Sequence, residues 1–213
     1  MTVLVTGASR GIGAGLAEAY RNRGENVIAA ARSGGDARLD VADPASIKAL
    51  AGRLSGTAID LLICNAGIFP DKGQRLEDGF AAELWDEVFR VNVRGVFLTV
   101  QALLPHLERA HAPKIALLSS RLGSNMHAGG GNYIYRASKA AVTNLGRNLA
   151  TDLAPKGIAV GIYHPGWVRT DMGGTGADIS LEESVSGLVA RFDALSVETT
   201  GEFRTWDGRT LEF

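Results

Sequence analysis

The stretch "TVLVTGASRGIG", residues 2–13, decides the fold. An apolar run ends at Thr6, Gly7, Gly11 and Gly13 punctuate a turn, and a helical period starts at once, predicting a helix from about Gly11 to Arg23. Glycines at such a junction let the backbone approach a diphosphate, whose charge is stabilised by the free amides of a helix N-terminus. The glycine spacing alone is weak, because any tight strand-to-helix turn favours glycine. Its context of first strand, turn and helix is what points to dinucleotide binding.

Outward from this junction, short apolar runs alternate with segments of helical period. Strands are expected at 2–6, 26–31, from about 37, at 59–64, 114–120 and 158–163, and near 202–206. Helices are expected at about 44–54, 81–109, 133–153 and 181–194. Strands of continuous apolar character separated by helices imply a parallel sheet covered on both faces, a doubly wound α/β fold in three layers. Residues 1–213 read as one domain without repeat or linker. The glycines cluster at the strand-to-helix junctions, where open α/β sheets bind ligands.

The formal charge of -1, from 22 basic and 23 acidic residues spread along the chain, offers no basic stripe for nucleic acid or anionic lipid. No apolar run approaches the roughly 18 residues of a membrane span. One cysteine, Cys64, and no signal-like N-terminus lead us to expect a cytoplasmic protein. The four histidines lack metal-ligand spacing, so no metal site is expected.

The end of the second strand bears on the cofactor. An acidic residue about 20 positions past the glycines would bind the adenosine ribose of NAD. Here the chain has Ala30, Ala31 and Arg32. With Ser9 and Arg10 in the first turn, Arg32 suits a 2'-phosphate, since guanidinium binds phosphate through forked, charge-assisted bonds. NADP(H) is therefore favoured over NAD(H), with Asp36 as the acidic residue still able to reach a ribose. Asp40 is placed to accept from an adenine amino group, and Asp43 before Pro44 is the better helix cap. Asn65, Ala66 and Gly67 keep small side chains beside the ligand at the next sheet edge.

In "NYIYRASKAAV" the helical spacing pairs Tyr135 with Lys139, whereas the position four beyond Tyr133 is Ala137. An ammonium beside a phenol favours the phenolate, so Lys139 is expected to lower the Tyr135 pKa and ready it for acid–base work.

Together, "TGASRGIG", "NAG", "RVNV", "SSRLGS", "YRASK" and "HPGWVRTD" resemble the short-chain dehydrogenase/reductase family, over the whole chain and in order. Within it, "YRASKAAV", "PGWVRTDMGG" and the ending "DGRTLEF" are most similar to small C-factor-like and sniffer-like carbonyl reductases. The resemblance implies a Rossmann fold and reversible reduction of an aldehyde or ketone. Tyr135 would be the proton donor, Lys139 its partner and a holder of the nicotinamide ribose, and Asn92 the binder of a relay water. The carbonyl-polarising serine would be Ser120, with Ser119 and Ser124 as alternatives, because Ser120 lies farther from Tyr135 than is common in the family. Gly7, Ser9, Arg10, Gly11, Ile12, Gly13, Arg32, Asp40, Val41, Asn65, Ala66, Gly67, Tyr135, Lys139, Pro165, Val168 and Thr170 would line the cofactor. A homodimer through the helices at about 93–109 and 133–153, or a tetramer, is also implied. A dinucleotide-binding regulatory protein with little turnover is the alternative reading.

Two features depart from the family. Only "RSGGD" separates the second and third strands, whereas a parallel crossover needs about a dozen residues or more, so the usual helix there is expected to be absent. The segment after Asp171 is short, which predicts an open, weakly selective substrate site with Trp167 as either wall or core. Cys64 is expected to be buried and inert.

Overall fold

The computed structural model covers residues 1–213. Seven strands, β1 (Thr2–Thr6), β2 (Asn26–Ala31), β3 (Ala37–Arg38), β4 (Leu61–Cys64), β5 (Lys114–Leu118), β6 (Ala159–His164) and β7 (Phe203–Thr205), form one sheet in the order β3-β2-β1-β4-β5-β6-β7. Every pairing is parallel. The helices are α1 (Gly11–Asn22), α2 (Pro44–Arg53), α3 (Ala82–Phe89), α4 (Gly95–Leu107), α5 (Tyr133–Leu153) and α6 (Leu181–Ala194). The strand order reverses between β1 and β4, the switch point at which ligands bind in such sheets.

Side chains alternate across the sheet with period two, and this sorts them into two cores. Leu4, Leu62, Ile115 and Leu117 face the layer holding α2, α4 and α5. Val3, Val5, Ile63 and Ala116 face α1 and α6, where they meet Leu16, Tyr20, Leu188 and Phe192. Each large apolar side chain so buried contributes about 1.5–3 kcal/mol relative to exposure. The helices start where their caps allow. Asp43 caps α2 by accepting from Ala45 N at 2.9 Å, and Ser180 with Glu183 forms a reciprocal box on α6.

No helix joins β2 to β3, as the short connection requires. The chain turns back through Gly34, at φ +71°, and Gly35, where a Cβ would collide with Ala29 O. The strands then pair over only Ala30–Ala37 and Ala31–Arg38. Below that register the Asp36 carboxylate accepts from Ala29 N at 2.8 Å and pairs with Arg21, closing the sheet edge that β3 is too short to cover. One oxygen of Asp36, Oδ2, is thereby engaged in structure, at Ala29 N and Arg21.

The tract expected as one helix over 81–109 is interrupted. Between α3 and α4, Arg90–Arg94 form a π-helical turn, with Gly95 N bonded to Arg90 O. Gly95 sits against the segment after β3, where a Cβ would lie 2.6 Å from Val41 O. Such single π turns occur mostly at functional sites, and Asn92 lies buried in its middle. No helix of the chain is long and apolar enough to cross a membrane.

Candidate active site

The Gly-rich turn leaves β1 at the switch point. Gly7 (φ +68°) rests on the loop after β4, where a Cβ would lie 2.8 Å from Ala66 Cα. A Cβ on Gly13 would strike Gly7 O and the Asn65 amide. Gly11 (φ +55°) faces open space bounded by the Thr170 methyl. Arg10, the residue before α1, supplies no side-chain cap, so the first-turn amides of Gly11, Ile12 and Gly13 have no capping side chain. That uncapped turn beneath a cleft too close for side chains fits a diphosphate.

Beyond the carboxyl ends of β1 and β2, Ser9, Arg10 and Arg32 are exposed. Arg10 pairs with Asp171 at 2.8 Å, each side chain 76% exposed, so the pair is weak and readily exchanged. Asp40 lies two residues beyond β3, and its Oδ1 accepts from Ala42 N at 2.9 Å. Val41, next in the chain, is half-buried.

The stretch Asn65–Lys72 touches nearly every part of the site. Asn65 Nδ2 donates to Thr6 O at 3.0 Å and Gly7 O at 3.1 Å, locking the Gly-rich turn. Gly67 leaves room for two groups, since a Cβ there would lie 3.3 Å from Asn92 Oδ1 and 3.6 Å from Lys139 Nζ. Ile68 exchanges both main-chain groups with Asn92, which accepts at 2.8 Å and donates at 2.9 Å. Asn92 also donates to Ser138 Oγ at 3.0 Å, so both of its amide hydrogens are used.

Tyr135 and Lys139 lie on the buried face of α5. The Phe69 ring stacks on Tyr135, 4.0 Å between centroids and 19° from parallel. Lys139 Nζ donates to Leu118 O at 2.8 Å and stands 5.6 Å from the centre of the Tyr135 ring. Burial lowers the lysine to about 8. Burial likewise raises Tyr135 to about 12; a hydrogen bond with Ser120 works against the rise and the Asp71 charge adds to it. The lysine was expected to lower the phenol's pKa. Desolvation outweighs any such effect here, and the ammonium's bond goes to a backbone carbonyl. Tyr133 is 38% exposed and meets Phe80 edge-on.

The three candidate serines separate by partner. Ser119 Oγ faces α5, bonded to Thr143 Oγ1 at 2.6 Å and to Lys139 O at 3.1 Å. Ser120 caps the turn at Arg121–Gly123, accepting from Leu122 N at 3.1 Å, and is the serine whose hydroxyl favours the Tyr135 phenolate against burial. Ser124 is buried with its hydroxyl unpartnered.

Beyond β6, Pro165 O accepts from Ser184 Oγ at 2.6 Å, and Val168 is buried and bridged to Ile179. Thr170 Oγ1 accepts from Gly173 N at 3.2 Å. Trp167 is 49% exposed, so it is no core residue, and its Nε1 donates to Gly173 O at 2.9 Å. Lys72 reaches across to the carbonyls of Met172 (3.2 Å) and Gly173 (3.0 Å), tying this short lid to the loop after β4. Phe69, Asp71 and Lys72 escaped the sequence reading, because "FPDKG" reads locally as a turn. Cys64 is buried, which raises its thiol to about 12 and leaves it unreactive.

A doubly wound sheet with a Gly-rich turn at its switch point and a buried tyrosine, lysine and serine beside it defines a dinucleotide-dependent oxidoreductase. The family model described as short chain dehydrogenase matches residues 1–178. A 1-hydroxy-2-glutathionyl-2-methyl-3-butene dehydrogenase of Rhodococcus sp. (strain AD45) is 34% identical over 230 aligned positions, covering 100% of this chain and 99% of the relative. The C-signal of Myxococcus xanthus is 34% identical over 76% of this chain and 97% of its own length. Among solved structures, the NADPH-bound carbonyl reductase from chicken fatty liver has a TM-score of 0.88 at 33% identity, covering 100% of this chain and 98% of that one. The carbonyl reductase Sniffer of D. melanogaster has a TM-score of 0.86 at 25% identity, covering 100% and 99%. The chain belongs to the short-chain dehydrogenase family.

Proposed function

We propose that the protein is an NADP(H)-dependent reductase of aldehydes or ketones, reversible as an alcohol dehydrogenase. The observation that carries this reading is the convergence of Ser120, Tyr135 and Lys139, linked to the Gly-rich turn by Asn65, which holds Gly7 O, and Gly67, which faces Lys139 Nζ. The dinucleotide, when bound, supplies the hydride. Ser120 and Tyr135 hold the carbonyl oxygen between two hydroxyls, and Tyr135 Oη delivers the proton as that oxygen gains charge. A phenol that stays protonated through the neutral range suits a donor. Lys139, with donors to spare beyond Leu118 O, binds the nicotinamide ribose and returns a proton to Tyr135. The Asn92 main chain, in the π turn, holds the water behind it.

Preference for NADP(H) is supported by Arg10 and Arg32 at the adenosine end and by the commitment of Asp36 to Ala29 N and Arg21. The name of the chicken enzyme, an NADPH-bound carbonyl reductase, agrees with it. The substrate is a small carbonyl compound or alcohol. Homodimerisation through the outer faces of α4 and α5, with a tetramer as the larger form, belongs to the same reading and is supported by half-exposed Phe97 on α4. A cytoplasmic location is supported by the single buried thiol.

A panel of aldehydes and ketones, followed by NADPH oxidation, tests the proposal. Turnover with NADPH preferred supports it. Tight NADPH binding with no turnover across the panel would instead favour a dinucleotide-binding regulatory protein.

A further inference from the structure

Helix α5 carries Tyr135 in its first turn, yet it begins without a cap of its own. Asn132, the residue before it, is left-handed at φ 49° and its side chain caps nothing. The first amides of a helix need acceptors, and a buried end without them is costly. Two are met from far away in the sequence. Asp71 Oδ2 accepts from Ile134 N at 2.9 Å and from Tyr135 N at 3.3 Å. Asp71 is completely buried, and its Oδ1 has no partner. A carboxylate in that place is favoured by the partial positive charge of the helix end.

The loop bearing Asp71 is itself fixed at several points. Ile68 is pinned to Asn92, Phe69 covers one face of the Tyr135 ring, and Lys72 is tied to the Met172 and Gly173 carbonyls. We propose that Asp71 is a positioning residue for Tyr135, a remote cap that holds the first turn of α5 against Phe69 and so aims the phenol at Ser120. This rests on the reading of Tyr135 as the proton donor.

The charges around the phenol give the proposal a second consequence. Lys139 lies on its own helix, 5.6 Å from the ring centre. Arg136 is directed to Leu122 O and His127 O, and Lys72 to the lid carbonyls. Asp71 is the carboxylate whose field raises the phenol.

Two variants separate the bond from the charge. Asp71→Ala removes both; Asp71→Asn keeps an oxygen able to accept from the two amides and removes only the charge. Amide exchange at Ile134 and Tyr135 is expected to quicken about tenfold in Asp71→Ala, as for one lost cap, and to recover largely in Asp71→Asn. A carbon NMR titration of labelled tyrosine Cζ, assigned with Tyr135→Phe, should show Tyr135 titrating at lower pH in Asp71→Asn than in wild type. In turnover, Asp71→Ala should lower kcat with KM for NADPH unchanged. Unchanged amide exchange in Asp71→Ala, or a Tyr135 titration in Asp71→Asn identical to wild type, overturns the proposal. Should Asp71→Ala fail to fold, the Asp71→Asn titration alone decides. Exchange and titration need no turnover, so they still judge Asp71 if the carbonyl panel is negative and the proposed reaction is what fails.

Discussion

Lys139 Nζ donates to Leu118 O at 2.8 Å while standing 5.6 Å from the centre of the Tyr135 ring, so one buried ammonium joins the end of β5 to the phenol. Burial lowers this lysine from its ordinary value to about 8. Between about pH 8 and the unfolded lysine value of about 10.4 the unfolded chain binds the extra proton, so stability from this group rises with pH across that window. Tyr135 acts in the opposite sense at higher pH, because the unfolded phenol ionises from about 10 while the folded one holds its proton to about 12. Lys139→Met should therefore abolish the rise in thermal stability between pH 8 and 10 and should stabilise the fold near neutrality. It should also cost activity, by about a hundredfold or more if the proton route runs through the lysine. Melting curves across pH, compared with wild type, check the first part.

The serines give a contrast within a few residues. Ser120→Ala should lower kcat by about a hundredfold, since it removes a donor to the developing oxyanion, and should destabilise by about 1 kcal/mol through the lost cap on Leu122 N. Ser119→Ala should leave kcat nearly intact and destabilise by about 1–3 kcal/mol, through the buried partners left at Thr143 and Lys139 O. Steady-state kinetics and urea unfolding on both variants distinguish the roles.

Cofactor choice is tested at the arginines. Replacing both Arg10 and Arg32 by Ala should weaken NADPH binding at least about tenfold and leave NADH binding nearly unchanged, because only the former carries a 2'-phosphate for guanidinium to pair with. Fluorescence titration with the two dinucleotides reads this directly. Asp36→Asn should reduce stability without improving NADH affinity, since its carboxylate serves Ala29 N and Arg21.

The Gly-rich turn predicts a steric failure. A Cβ on Gly13 would collide with Gly7 O and the Asn65 amide. Gly13→Ala should lose dinucleotide binding and stability together, whereas Gly24→Ala, which meets nothing within 4 Å, should keep binding and pay only for its left-handed backbone at φ +78°.

The strand and helix pattern was legible because parallel strands buried on both faces are continuous apolar runs. The bounds of α5 and α6 fall at Tyr133–Leu153 and Leu181–Ala194, as their periodicity predicts. Helical spacing also brought Tyr135 and Lys139 to one buried face. The π turn at Arg90–Arg94 was not legible, since it depends on Gly95 packing against Val41 rather than on local propensity. Nor was the balance of terms on Tyr135, because desolvation is a property of the packed site. Asp71 is the clearest case. Its partners, the amides of Ile134 and Tyr135, lie more than sixty positions away, and no local signal distinguishes it from a turn aspartate.

Tyr135→Phe is the most direct test of the central claim. The variant keeps the ring stacked on Phe69 and removes only the hydroxyl. With a carbonyl substrate that the wild type reduces, NADPH oxidation should fall by about a hundredfold or more while NADPH binding by fluorescence titration stays unchanged. Turnover within a few-fold of wild type would show that the proton comes from elsewhere, and would contradict the assignment of Tyr135 as the donor.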